Sequence, residues 1–270
     1  MTKVIIAGAG GRMGRRLIAL VKDSPSLVLT GAIEGEANPV LGQDAGEIAG
    51  CGRMGVTIGD DLSKLLDEGE VIVDFSTPSA SVQHFKAAAG RRRAMVIGTT
   101  GFSSSEFDEL QGLSRQAPCV CSPNMSVGVN VIYKVLAEMA TTLGEEYDIE
   151  VIEAHHRLKK DAPSGTAIKM AEILARAVNR DLEQVAVYTR KGMIGERSRK
   201  EIGIQTIRAG DIVGDHTVLF GTVGERIEVT HRAQSRDTFA GGALRAARWV
   251  VKQPPGLYDM LDVLGLRQRA

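Results

Sequence analysis

The chain opens with Val4-Ile5-Ile6-Ala7, four apolar residues with no alternation, a pattern that predicts a strand buried on both faces as in a parallel sheet. A Gly-rich turn follows, and Met13, Leu17, Leu20 and Val21 then recur at helical spacing across Arg12 to Lys22. Leu27 to Ile33 reads as a second strand that ends at Glu34, which completes a strand–helix–strand unit with a right-handed crossover. The pattern recurs: strand Val71 to Phe75, a helix opened by Ser76-Thr77-Pro78 and running to about Ala89, strand Ala94 to Gly98, a helix after Ser103, and strand Cys119 to Ser122. Strands alternating with helices predict a doubly wound parallel sheet, the Rossmann arrangement of α/β proteins.

The pattern changes after Asn124. A helix is predicted over 128–143 and another over 165–178, among strand-like segments near 148–154, 185–189, 202–208, 216–223 and 226–232. Strands in succession with few helices predict an inserted α+β domain on an open mixed sheet. The polar stretch 191–201 has no clear period and reads as a loop, and a last helix near 238–252 carries Trp249 and Val250 on its apolar face.

Bulk properties narrow the function classes. The 270 residues suit two modest domains, and 43% hydrophobic with 24% charged residues is ordinary for a soluble globular protein. Net charge is zero, so no electrostatic footprint for nucleic acid exists; Arg91-Arg92-Arg93 is the one dense basic run and suits a solvated helix end. Cys51, Cys119 and Cys121 are odd in number and match no disulfide or zinc framework, which favours a reducing, cytoplasmic compartment. Lys3 runs straight into the first strand, so no signal peptide is expected, and no apolar run approaches the ~18 residues of a membrane span.

The first turn, Gly8-Ala9-Gly10-Gly11-Arg12-Met13-Gly14, is a variant of G-x-G-x-x-G. Glycines there let the backbone approach a pyrophosphate, and the following helix offers N–H groups and a positive dipole end. Its place between a buried strand and a helix at the start of a βαβ unit is the context that makes the motif a dinucleotide site. Glu34, at the end of the second strand, is placed to accept hydrogen bonds from the adenine ribose. Gly98-Thr99-Thr100-Gly101 and Ser122-Pro123-Asn124-Met125 follow later strands and are candidates for the other walls of the crevice.

A second constellation runs from Glu153-Ala154-His155-His156 through Lys159 to Asp161-Ala162-Pro163-Ser164-Gly165-Thr166. It joins a strand to a helix start, where backbone N–H groups beside His and Lys suit a carboxylate. Histidine donates protons near neutral pH. Adjacent histidines on extended chain point to opposite faces and chelate one ion poorly, so no metal is expected.

With these motifs in order, including Val96 to Phe102, Asn124 to Asn130, Arg208 to Gly214 and Gly224-Glu225-Arg226, the chain resembles the 4-hydroxy-tetrahydrodipicolinate (dihydrodipicolinate) reductase family over essentially its whole length. The resemblance implies a Rossmann domain of residues 1–126 plus 236–270 and an inserted substrate-binding and oligomerisation domain of 127–235, the latter pairing its sheets into a homotetramer. It implies NADH- or NADPH-dependent reduction of a cyclic dicarboxylate with loss of water, after domain closure. Carried over by position, His155 is the proton donor and Lys159 its companion donor and substrate anchor. His156, Gly165 and Thr166 bind substrate carboxylate. Gly8, Ala9, Gly10, Gly11, Arg12, Met13, Glu34, Gly98, Thr99, Thr100, Ser122, Pro123, Asn124 and Met125 line the cofactor. Many members place an arginine after the acidic residue to clamp the NADPH 2′-phosphate; here Gly35 and Glu36 follow Glu34, so NADH is the expected preference, with Arg12 still within reach of such a phosphate. Pro123-Asn124-Met125 departs from the alanine and phenylalanine often found there. Rival readings are another two-domain dehydrogenase, acting on aspartate, homoserine or a sugar, and a non-enzymatic NAD-sensing module; the His155-to-Thr166 cluster argues against both.

Overall fold

The computed structural model describes residues 1–267, so the last three residues of the expected domain return lie outside it. The described chain divides into two units: Met1–Val127 with the stretch from Arg236 onward, and Gly128–Ser235.

In the first unit, β1 (Thr2–Ala7), α1 (Arg12–Lys22) and β2 (Leu27–Ile33) form the expected βαβ unit. There follow α2 (Ala45–Ile48), β3 (Ile58–Gly59), β4 (Val71–Asp74), α3 (Pro78–Gly90), β5 (Ala94–Ile97), α4 (Ser104–Leu113) and β6 (Pro118–Cys121). α2 and β3 carry too little periodicity to be legible in the sequence. Alternation along each buried strand explains the layering. Val4 and Ile6, Val71 and Val73, and Ala94 and Val96 enter one core with Leu17 and Ile18 of α1. Ile5 and Ala7, Ile72, and Met95 and Ile97 enter the opposite core with Phe85 of α3 and Leu110 of α4.

The second unit begins with α5 (Val127–Leu143), whose first residue is shared with the end of the first unit, followed by β7 (Asp148–His155) and α6 (Gly165–Ala177). Val129, Tyr133, Leu136 and Ala140 recur along one face of α5 and are buried with Met170, Ala171 and Leu174 of α6. The strand predicted at 185–189 shrinks to two residues: the side chain of Asp181 caps α7 (Leu182–Val185), which takes up Val185 and leaves β8 as Ala186–Val187. Residues 191–201 contain neither helix nor strand. Arg190 and Arg197 tie this segment to Glu150, Glu201 and Asp148. The sheet is completed by β9 (Ile202–Arg208), β10 (Gly214–Thr222) and β11 (Glu225–Ala233), in the order β11-β10-β7-β9-β8. β7 is parallel to β9 and antiparallel to β10, so the sheet is mixed.

The chain then returns to the first unit as α8 (Asp237–Val250), which packs beside α1, and Pro254-Pro255 stop any continuation. A short strand, β12 (Gly256–Tyr258), adds to the sheet edge beside β6, and α9 (Met260–Leu264) closes the described chain. The first sheet has the order β12-β6-β5-β4-β1-β2-β3, with every pairing parallel.

Candidate functional site

Strand order in the first sheet reverses between β1 and β4, and in such sheets ligands bind at the carboxyl ends of the strands beside the reversal. Because all strands are parallel, the segments after β1, β5 and β6 leave the sheet at one edge. Gly8 turns the chain there with φ of 78°, and a Cβ on it would lie 2.9 Å from the Phe75 carbonyl oxygen. A Cβ on Gly14 would lie 2.1 Å from the Gly8 oxygen, so only glycine lets α1 start directly behind the turn. Gly11 is the N-cap of α1 and no side chain caps it, which leaves the N-terminal amides of that helix to an anion. Glu34 stands over this turn, accepting hydrogen bonds from the Gly10 N–H at 2.8 Å and the Gly35 N–H at 3.0 Å.

The other walls are held from behind. The carboxylate of Asp74, fully buried at the end of β4, accepts from the Ser76 N–H at 2.8 Å and the Ser76 hydroxyl at 2.6 Å, and pairs with His84 Nδ1 at 2.6 Å. Ser81 lies 3.1 Å from the same carboxylate and 2.8 Å from the Thr99 hydroxyl, so a chain of hydroxyls fixes the Gly98–Thr100 segment. The Phe75 ring packs where a Gly98 Cβ would be, 2.2 Å away. In the third segment the Ser122 hydroxyl donates to the Asn124 carbonyl at 3.1 Å, and the Asn124 side chain accepts from the Ser126 N–H at 2.8 Å. Gly242 of α8 lies so close that its Cβ would fall 1.8 Å from the Met125 oxygen.

In the second unit, period-2 alternation puts Ile149, Val151, Glu153 and His155 on the buried face of β7. The face is apolar at its start and charged at its end. An enclosed carboxylate costs several kcal/mol unless its oxygens are paired. Here Arg208 from β9 donates two bonds to Glu153, each 2.8 Å long, the Ser164 N–H donates at 3.0 Å, and His155 Nδ1 lies at 2.6 Å. Burial alone would raise the Glu153 carboxyl, but Arg208, His155 and the Ser164 amide together hold it below the usual carboxylate range. Burial lowers His155 below its ordinary value, and the charge of Glu153 opposes that fall. His155 is 9% exposed, and its Nε2 lies 3.0 Å from where a Gly214 Cβ would stand, so the missing side chain leaves space at that nitrogen.

Ser164 is the N-cap of α6; its hydroxyl accepts from the Ala167 N–H at 3.2 Å and lies 3.0 Å from His216 Nε2. His216, from β10, packs edge-on against His155 with ring centroids 5.1 Å apart. Burial first, and then His155, push His216 down to about 3, so it remains neutral. Lys159 sits in the connecting loop and pairs with Asp161 at 2.8 Å. Gly165 opens α6 with nothing within 4 Å of its missing side chain, and Thr166 follows it. The structure therefore brings His155, Gly165 and Thr166 to one end of the second sheet, with Lys159 and His156 on the loop between. Among the described residues, no three His, Cys, Asp or Glu side chains group as a metal set.

Four residues here were not given a role by the sequence: Asp74, Glu153, Arg208 and His216. The Glu153–His155 pair has a local signal, two polar residues at strand spacing on a face that is otherwise apolar. Arg208 opens one of the motifs that carry the resemblance, but nothing local links it to Glu153, and His216 has no signal; both arrive from other strands.

Comparison with known proteins adds the family. The family pattern described as dihydrodipicolinate reductase, N-terminus, matches residues 2–125, and the one described as dihydrodipicolinate reductase, C-terminus, matches 128–264. A 4-hydroxy-tetrahydrodipicolinate reductase of Syntrophus aciditrophicus is 56% identical over 99% of this chain and 100% of that protein. One from Geobacter sulfurreducens is 51% identical over the same shares. Among solved structures, a dipicolinate-bound dihydrodipicolinate reductase from Paenisporosarcina has a TM-score of 0.73 at 23% identity, covering 97% of this chain and 98% of that one. An amine dehydrogenase from Mycobacterium smegmatis has a TM-score of 0.62 at 14% identity, covering 99% and 97%, a likeness of fold alone.

Proposed function

The chain belongs to the dihydrodipicolinate reductase family, and on that premise we propose which of its residues carry each part of the reaction. The activity is reduction of 4-hydroxy-tetrahydrodipicolinate to tetrahydrodipicolinate in lysine and diaminopimelate biosynthesis, with a nicotinamide cofactor. One hydride and one proton enter the substrate and one water leaves.

The first unit fits a dinucleotide: its turn excludes side chains, the helix behind it has no side-chain cap, and a carboxylate stands at the end of β2. Gly8, Ala9, Gly10, Gly11, Arg12 and Met13 hold the pyrophosphate, Glu34 takes the adenine ribose hydroxyls, and Gly98–Thr100 with Ser122–Met125 line the nicotinamide end. The bound nicotinamide supplies the hydride. Glu34, followed by Gly35 and Glu36 in place of a cation, favours NADH over NADPH.

The second unit binds the dicarboxylate. His156 and the start of α6 at Gly165 and Thr166 take one carboxylate, where helix amides and dipole favour an anion. Lys159 exchanges Asp161 for the substrate and acts as companion donor to His155, which delivers the proton. The observation that carries these roles is His155 itself: a nearly enclosed imidazole, bonded to Glu153 through one nitrogen and with open space beside the other.

The test is oxidation of NADH and NADPH, followed separately, with substrate made in situ from pyruvate and aspartate semialdehyde by the preceding synthase. Substrate-dependent oxidation with a higher kcat/KM for NADH is expected. Equal use of both cofactors would discard the preference. No oxidation of either by a folded protein that binds NADH would overturn the reading.

A homotetramer belongs to the same reading. The sheet face turned away from α5 and α6 presents Ile152 and Leu219, both half-buried, and Ile207, which is 47% exposed, a surface suited to a second copy. Light scattering at the mass of four chains is expected; a monomer at micromolar concentration would sink it. No helix among the described residues is long and apolar enough to cross a membrane. The thiols of Cys51, Cys119 and Cys121 are all free, which suits a reducing cytoplasm.

A further inference from the structure

Glu153 contacts no surface and lies behind His155 on the same strand face, which raises the question of why a charge is kept there. Its four bonds use both oxygens: Oε1 takes one Arg208 nitrogen and the Ser164 amide, and Oε2 takes the other Arg208 nitrogen and His155 Nδ1. Arg208 is anchored in turn by the Asp161 and Ile207 carbonyls, each at 2.7 Å. The carboxylate therefore cannot rotate away from the imidazole, and the guanidinium disfavours any proton on it.

We infer that Glu153, clamped by Arg208, is the positioning residue of the proton-donating site: it keeps the imidazole proton of neutral His155 on Nδ1, makes Nε2 the delivering atom, and supports the charged ring with its own charge. The inference rests on the reading of His155 as proton donor. The proton balance is simple. Charged His155 gives the Nε2 proton to the substrate as hydride arrives, remains neutral with the other proton held on Nδ1 and donated in a hydrogen bond to Glu153, and regains a proton at Nε2 from water. Glu153 never carries it.

The surroundings support this sense. The charged and titratable groups facing His155 are Glu153 on its own strand, Arg208 on β9, Lys159 on the following loop and His216 on β10. Burial is the largest influence and lowers His155; Lys159 and Arg208 lower it further, while Glu153 is the group that raises it. His216 is neutral and contributes packing and the bond to Ser164.

The test is the pH profile of kcat in Glu153→Gln. The glutamine carbonyl can still accept from Nδ1 and one Arg208 nitrogen, while its amide nitrogen cannot accept from Ser164 and the other Arg208 nitrogen; the charge is lost. Activity needs charged His155, is present below its pKa and is lost above it. Removing the negative neighbour lowers that pKa, so the descending limb is expected to move to lower pH, with kcat down by about 10–100-fold near neutrality. A limb that stays in place, whatever happens to the rate, would overturn the inference. Glu153→Asp keeps the charge, and its limb is expected at the wild-type pH; a limb displaced as in the glutamine variant would count against the inference. The wild-type protein gives a reading free of any folding defect: imidazole 15N shifts of neutral His155 are expected to show the Nδ1–H tautomer, and the Nε2–H tautomer would refute the assignment. Failure of the underlying reading looks different. Active His155→Gln would remove His155 as donor altogether, whereas inactive His155→Gln with an unmoved limb in Glu153→Gln removes only the role of Glu153.

Discussion

Replacing His155 with glutamine is expected to lower kcat by about 10²–10⁴-fold, the usual contribution of a positioned general acid. The buried carboxylate keeps both Arg208 bonds and the Ser164 amide bond, so the unit stays folded. What is lost is a group that can hold and release a proton near neutral pH. NADH binding belongs to the first unit and is expected to stay near wild type. Steady-state oxidation of NADH with substrate made in situ, beside NADH fluorescence titration, separates the two effects. A variant within tenfold of wild-type kcat would show that the proton comes from elsewhere, with Lys159 the next group to test.

Gly35→Arg is expected to raise kcat/KM for NADPH by about 10–100-fold, the worth of one or two charge-assisted hydrogen bonds to a phosphate at roughly 1.5–3 kcal/mol. The site accepts the change: nothing lies within 4 Å of where a Gly35 Cβ would be, and Gly35 is not among the residues with positive φ. The arginine would stand next to Glu34, whose carboxylate otherwise repels a 2′-phosphate. Measuring both cofactors in wild type and variant gives the ratio directly. An unchanged ratio would mean that the position after Glu34 does not set the choice, and Arg12 would become the residue to replace.

How far the sequence reached is seen best at particular residues. The helix expected over Arg12 to Lys22 and the strand over Leu27 to Ile33 have those bounds in the structure, because both are written in local periodicity. The tight turn at Gly8 was legible, since glycines are needed wherever backbone crosses backbone this closely. α2, β3, β12 and α9 were not legible. Each is about one turn or a few residues long, too short for a period, and is stabilised by neighbours distant in sequence. The strand expected at 185–189 was curtailed at its start by a single cap, Asp181, which outweighed the β preference of Val185.

The two candidate sites divide in the same way. The residues proposed to meet ligand lie in contiguous motifs, because a turn or a strand-to-helix junction presents neighbouring groups to one point. Glu34 and Gly35 carried a cofactor argument on their own, but the bond from the Gly10 amide to Glu34 appeared only when β2 was laid beside β1. The supporting residues behind the ligand-facing groups come from separate strands. Arg208 reaches Glu153 across 55 positions and His216 reaches Ser164 across 52.

By itself the sequence determined the longer strands and helices, which of their faces are apolar, and where glycines, His155 and Glu34 break those faces, because backbone periodicity makes each a local property. Only the tertiary structure decided that β7 lies between β9 and β10, that Asp74 and Glu153 are enclosed, and that His216 is neutral. Those outcomes depend on strand order and on the withdrawal of water once the sheets are packed, and no stretch of chain encodes either until its distant neighbours are in place.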